Sequence, residues 1–154
     1  MKVEQRLKEL DIELAEPIGP QANYVTTVQT GNLIFTSGHG PITSDGEILK
    51  SQLGTDATVE DGYASARLVA LCLLSTLKHV LGDLDKVKRI VKVVGFVNSA
   101  PDFTDQPAVI NGASDLFVEV FGDKGRHARS AVGMVQLPLG IPVEIEMVVE
   151  IEDL

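Results

Sequence analysis

The 154-residue chain has a single cysteine, Cys72, which excludes an internal disulfide and an all-thiolate metal site. It is also short of positive charge, with 13 lysines and arginines against 22 acidic residues and a net charge of −9. Nucleic-acid affinity comes largely from Lys and Arg displacing counterions from phosphates, so this balance disfavours a nucleic-acid partner. The longest apolar run, around Leu68–Leu74, contains Cys72 and falls far short of the ~20 residues of a bilayer span. The N-terminal Met1-Lys2-Val3-Glu4-Gln5-Arg6 lacks the apolar core of a signal peptide. Repeats, low-complexity tracts and Ser/Gly linkers are absent, and the length is close to the ~150 residues typical of one domain. A cytoplasmic protein without membrane attachment is expected, with one domain over residues 1–154 and residues 1–16 as a helical extension. P-loop, G-x-G-x-x-G, G-x-S-x-G and H-E-x-x-H signatures are missing. His39, His79 and His127 show no paired ligand spacing, so neither a metal nor another cofactor is expected.

What is present reads as alternating strands and helices. Val3, Leu7 and Leu10 fall at helical spacing in a short amphipathic first helix. Glu16-Pro17-Ile18-Gly19-Pro20 is irregular. Tyr24–Gln29, the turn Thr30-Gly31-Asn32 and Leu33–Ser37 read as a hairpin, closed by the bend Gly38-His39-Gly40-Pro41. A long helix begins near Thr58, where Thr58-Val59-Glu60-Asp61 resembles a capping box, and stops at Gly82. Val87–Val97 reads as a strand. A second long helix starts near Thr104 or Asp105, tolerates Pro107 in its first turn and ends at Gly122. Arg129–Gln136 and Val143–Ile151 close the chain as strands. In the last, Val143, Ile145, Met147, Val149 and Ile151 share one face, and Glu144, Glu146, Val148 and Glu150 the other. The fold class is therefore α+β: a mixed sheet with two helices on one face, preceded by a short extra helix.

Few residues stand out chemically. Cys72, in an apolar helical stretch, reads as a small buried hydrophobe. Arg129, beside the small Ser130, Ala131 and Gly133, has room to offer a carboxylate its planar fork, which lysine cannot do. On the residues alone, a surface arginine paired with an acidic neighbour is the favoured reading in so acidic a chain. Glu144 is likewise either one rung of a solvated acidic face or a carboxyl group that positions water and moves a proton.

Several separated segments bear on these choices. Pro17-Ile18-Gly19-Pro20, Tyr24-Val25 and Gly31-Asn32-Leu33-Ile34-Phe35-Thr36-Ser37-Gly38-His39-Gly40-Pro41 resemble an N-terminal signature. Ala128-Arg129-Ser130-Ala131-Val132, Leu137-Pro138 and Val143-Glu144-Ile145-Glu146 resemble its closing counterpart. In order and spacing, from about Pro17 to Glu150, the chain resembles the Rid/YjgF family of enamine/imine deaminases, also known as L-PSP endoribonucleases. The leading helix resembles its YjgF/chorismate-mutase-like endoribonuclease branch.

The resemblance implies a chorismate-mutase-like fold, a homotrimer with clefts between subunits, and hydrolysis of small 2-enamine or 2-imino acids to 2-keto acids and ammonia. It matches Arg129 to the family's carboxylate-binding arginine, Glu144 to the glutamate near the hydrolytic water and Tyr24 to a cleft tyrosine. Asn111 matches a cleft asparagine, and Ser37, Gly38 and His39 the loop beside the site. Ala131 stands where many members carry cysteine, and His39 where the best-known branch often has glutamine. The additional Gln21-Ala22-Asn23 also implies a modified pocket. Two other readings stay open: a trimer that binds small carboxylates without turnover, and an endoribonuclease, against which the acidic balance argues.

Geometry limits how Arg129 and Glu144 could meet. A simple hairpin turning near Leu139-Gly140 would set Arg129 opposite Glu150 and leave Glu144 roughly 20 Å away, at about 3.3 Å per residue. One site needs the two strands unpaired, or two chains.

Overall fold

The computed structural model describes residues 3–20 and 22–153; Gln21, within the additional segment, lies outside them. The chain forms α1 (Val3–Glu9), β1 (Thr27–Thr30), β2 (Leu33–Thr36), α2 (Val59–Leu81), β3 (Val87–Asn98), α3 (Gln106–Phe121), β4 (Ala128–Met134) and β5 (Val143–Ile151). One five-stranded sheet has the order β1-β2-β5-β3-β4. β3 and β4 run parallel across the α3 crossover, whereas β5 is antiparallel to both β2 and β3. The last two strands are therefore not a hairpin: β3 lies between them.

Local chemistry sets the element ends. The Asp61 amide donates to Thr58 Oγ1 at 3.1 Å and the Thr58 amide to Asp61 Oδ2 at 2.9 Å, so the capping box at the start of α2 is complete. Gly82, at φ 77°, ends α2 with its amide on the Lys78 carbonyl. α3 begins with Pro107 in its first turn, where no intrahelical amide is needed. The first strand is shorter than the alternation predicts. It starts at Thr27, leaving Tyr24 exposed in the preceding loop.

α2 and α3 pack on one sheet face. Val69, Leu73 and Leu77 of α2 and Ile110, Leu116 and Phe117 of α3 bury against Ile34, Val93, Val97, Ile145 and Val149. α2 is long and apolar enough to cross a bilayer by composition alone, but its apolar stripe lies in this core. Two glycines allow the close approach. A Cβ on Gly112 would stand 2.0 Å from the Tyr63 carbonyl oxygen, and one on Gly95 would stand 2.5 Å from Ile110 Cδ1. The opposite sheet face has no helix over it among the described residues. It carries Val28, Phe35 and Val132, all exposed, among Glu144, Glu146 and Glu150.

Candidate active site

The predicted residues gather in two places. The first is a cleft of about 920 Å³ lined by Tyr24, Ser37, Gly38, His39 and Glu144, together with α2 and the 13–20 segment. The loop after β2 is clamped to β5 by paired backbone bonds, His39 N to Ile145 O at 2.9 Å and Ile145 N to His39 O at 3.0 Å. That clamp lays Gly38 directly on Glu144. A Cβ there would lie 2.8 Å from the carboxyl carbon, so only glycine admits the carboxyl group in this position.

Glu144 is half-buried, and its carboxylate has no hydrogen-bond or ion-pair partner among the described residues. Burial, then the neighbouring Glu146 charge, pushes its pKa above the ordinary value. A carboxylate in that condition is suited to exchanging protons with a bound water.

His39 is committed internally. Its Nδ1 lies 2.9 Å from the Ser37 carbonyl and its Nε2 lies 2.9 Å from Thr76 Oγ1. The carbonyl can only accept, so Nδ1 carries the hydrogen and Nε2 accepts from the Thr76 hydroxyl. Burial lowers the pKa and keeps the ring neutral. His39 thus pins the loop to α2 while presenting its ring to the cleft. Cys72 donates to the Ile42 carbonyl at 3.4 Å, and burial raises its pKa, so it stays a thiol.

The second place lies on the helix side of the sheet, at edge strand β4. Arg129 Nη1 donates to Asn111 Oδ1 at 2.8 Å and to Ser114 Oγ at 3.1 Å, both on α3. Arg129 belongs to no ion pair, and its Nε and Nη2 have no partner among the described residues. The surface ion-pair reading of this arginine does not hold. Two residues along, Ala131 packs against the core. Behind them, Ser114 Oγ lies 2.9 Å from His127 Nε2, and His127 Nδ1 lies 2.6 Å from the Gly125 carbonyl. Sequence reasoning passed over Ser114 and His127, although each had a signal. His127 precedes Arg129 by one strand period, and Ser114 follows Asn111 by one helical turn.

The two places do not meet within one chain. Arg129 is level with Val93 and Met147, and Glu144 with Phe96. They are separated by about three residues, or 10 Å, along the strands and two strand spacings of roughly 4.8 Å across. They also project from opposite faces of the sheet. Among the described residues no group of three His, Cys, Asp or Glu side chains could hold a metal.

Residues 4–150 match the family model described as "YjgF/chorismate mutase-like, putative endoribonuclease". The chain belongs to the YjgF family. Its α+β architecture is accordingly the YjgF/chorismate-mutase-like fold. Within the family it is 46% identical over 153 residues to protein TCP17 of Trypanosoma cruzi, covering 99% of this chain and 96% of that protein. It is 30% identical over 138 residues to the 2-iminobutanoate/2-iminopropanoate deaminase of Dermatophagoides farinae, covering 89% and 90%. A crystal structure from Shewanella oneidensis, described as a "putative endoribonuclease", superposes with a TM-score of 0.94 at 34% identity, covering 98% of this YjgF-family chain and all of the other.

Proposed function

We propose that this YjgF-family chain hydrolyses small 2-imino acids, and the enamines in equilibrium with them, to 2-keto acids and ammonia. The carrying observation is Arg129, which among the described residues has no ion pair, in a chain of net charge −9, and keeps Nε and Nη2 open for a carboxylate. Guanidinium presents those two N–H groups in the spacing of a carboxylate's oxygens. Asn111 fixes the arginine from one side, and Ala131 leaves room beside it.

Glu144 supplies the second function. As water attacks the imine carbon, its carboxylate takes one of the water's protons and passes it to the nitrogen; it then takes the adduct's hydroxyl proton and hands that to the nitrogen as the C–N bond breaks, so ammonia leaves and the ketone forms. The carbon is already electrophilic, so holding the reactants and relaying the water's two protons to nitrogen account for the reaction. Tyr24, Ser37, Gly38 and His39 line the cleft on this side. The chemistry calls for no cofactor.

Because the two functional groups project from opposite sheet faces, the reading requires a neighbouring copy: Arg129 of one protomer and Glu144 of the next, in a homotrimer with clefts at its seams. The exposed apolar residues on the helix-free face support such an assembly. The deaminase name carried by the Dermatophagoides relative supports the reaction class. RNA cleavage has less support, given 22 acidic against 13 basic residues.

The test generates iminopyruvate in situ with an amino-acid oxidase and follows its disappearance. Arg129→Ala and Glu144→Ala should each lose the enzyme-dependent rate. Unfolding and reassembling the two variants together should restore activity in about a quarter of the clefts, since random mixing pairs the intact halves at that frequency. Equal rates for wild type and Arg129→Ala would remove the proposal; no restoration on mixing would remove the shared-cleft arrangement.

A further inference from the structure

The hydrogen bonds behind Arg129 have only one consistent direction. The Gly125 carbonyl must accept, so His127 Nδ1, 2.6 Å away, carries the hydrogen. Nε2 of the neutral ring is then an acceptor, and the Ser114 hydroxyl, 2.9 Å away, donates to it. With its hydrogen committed there, Ser114 Oγ turns a lone pair toward Arg129 Nη1 at 3.1 Å. Asn111 Oδ1 takes the other Nη1 hydrogen at 2.8 Å. Both Nη1 hydrogens are consumed by α3, and among the described residues the open donors are Nε and the two hydrogens of Nη2.

Burial favours the neutral form of His127 that this chain needs, and the Arg129 charge adds to that preference. Arg129 is the charged group facing the ring from β4. α3 presents Ser114 and the ring of Phe117, edge-on at 5.8 Å, and the turn before β4 presents the Gly125 backbone.

We propose that Ser114 and His127 are positioning residues for the anion grip, setting the guanidinium so that a carboxylate meets its Nε/Nη2 edge. This rests on the reading of Arg129 given above, but concerns two residues that touch neither the anion nor the reacting atoms. An arginine with a loosely held Nη1 could rotate and offer other donor pairs. The relay from Gly125 removes that freedom before the ligand arrives.

The experiment measures iminopyruvate turnover and pyruvate binding for Ser114→Ala, His127→Phe and the double variant, with Arg129→Ala as reference. His127→Phe keeps a ring against Phe117 while removing both nitrogens. Each single variant should raise KM and the pyruvate Kd about 3- to 10-fold, the scale of one ordinary hydrogen bond, with kcat changing about twofold or less. The double variant should be no worse than the singles, because the two residues form one relay. His127→Gln, which restores a neutral acceptor for Ser114, should recover much of the loss. Affinity for uncharged pyruvamide should stay within about twofold, which general loosening of the fold would not allow. Wild-type KM in folded Ser114→Ala and His127→Phe, with Arg129→Ala inactive, overturns the positioning role alone. Imidazole 15N NMR showing hydrogen on Nε2 overturns it independently of any variant. Absence of both turnover and pyruvate binding in the wild type removes this proposal together with the reading beneath it.

Discussion

Replacing Gly38 with alanine separates the chemistry of the cleft from the stability of the fold. Gly38 does not have a positive φ, so its backbone accepts a Cβ without strain. The Cβ would stand 2.8 Å from the Glu144 carboxyl carbon and 2.9 Å from Oε2, against ordinary contact at 3.4–4 Å. The obstructing atoms are the end of a flexible side chain, so the carboxyl group swings aside by about 0.6 Å or more. Stability should hold or improve, since alanine at a compatible position stabilises by roughly 0.4–1 kcal/mol through the unfolded state. For a chain of this length that raises Tm by a few degrees at most. Rate should respond very differently, because displacing a reacting group by about 1 Å can cost on the order of 100-fold. The expected outcome is kcat for iminopyruvate down roughly 10- to 100-fold, with pyruvate affinity near wild type because Arg129 is untouched. Thermal melts and steady-state kinetics on one preparation give both numbers. A folded variant with kcat within twofold of wild type would show that the position of the Glu144 carboxyl group does not govern the rate.

Other perturbations divide along the same line. Gly112→Ala drives a Cβ to 2.0 Å from the Tyr63 carbonyl, a backbone atom that cannot swing away. It should cost roughly 3 kcal/mol or more, or abolish soluble expression, as denaturant titration would show. In the proposed reaction Glu144 acts as a base, so activity should show an acid limb as pH drops through its pKa, which burial and the Glu146 charge raise within one protomer. Glu146→Gln should move that limb down in a pH–kcat profile by removing the like charge. His39 and His127 both have pKa values lowered from 6.5 on folding. The unfolded chain then binds more protons below that value, so stability should decline as pH falls through about 6.5 toward the folded-state values. Thr76→Val should lower stability at neutral pH by about 1 kcal/mol or more, since it leaves His39 Nε2 without its donor.

The elements were largely legible because their signals are local. The Thr58–Asp61 box, Gly82 and Gly122 act over a few residues, and the alternation in β5 reports a sheet with one buried face. Strand order was not legible. The short connection from Met134 to Val143 suggests a hairpin, yet β5 inserts between β2 and β3, because its apolar face packs beneath α2 and its neighbours offer two free edges. Alternation also placed Tyr24 in a strand, whereas pairing begins at Thr27, opposite Thr36. Within the candidate site, Arg129 and Glu144 stood out by residue type and resemblance. Ser114 and His127 did not, because a hydroxyl or imidazole gains its role from a partner brought in by α3 packing on β4. Nor could spacing alone reveal that Arg129 and Glu144 face opposite ways: with β3 between their strands, their relative facing depends on two separate registers.

The Arg129 and Glu144 clusters are built on different physical terms. Arg129 is held by α3, and its Nη1 hydrogen bonds are part of the packing between α3 and β4, so disturbing that half disturbs the fold as well. Glu144 is held by exclusion: a clamped loop, a missing Cβ and a like-charged neighbour surround its half-buried carboxylate, which has no partner among the described residues. Such a carboxylate costs stability, since its charge is partly desolvated without a compensating hydrogen bond. The arrangement is understandable if the compensation comes from the anion-binding half of another protomer. An arginine brought across a seam would lower the cost of the Glu144 charge and gather a small anionic substrate between them. A chain that gained nothing at Glu144 from assembly would be expected to have relieved this cost with a single amide.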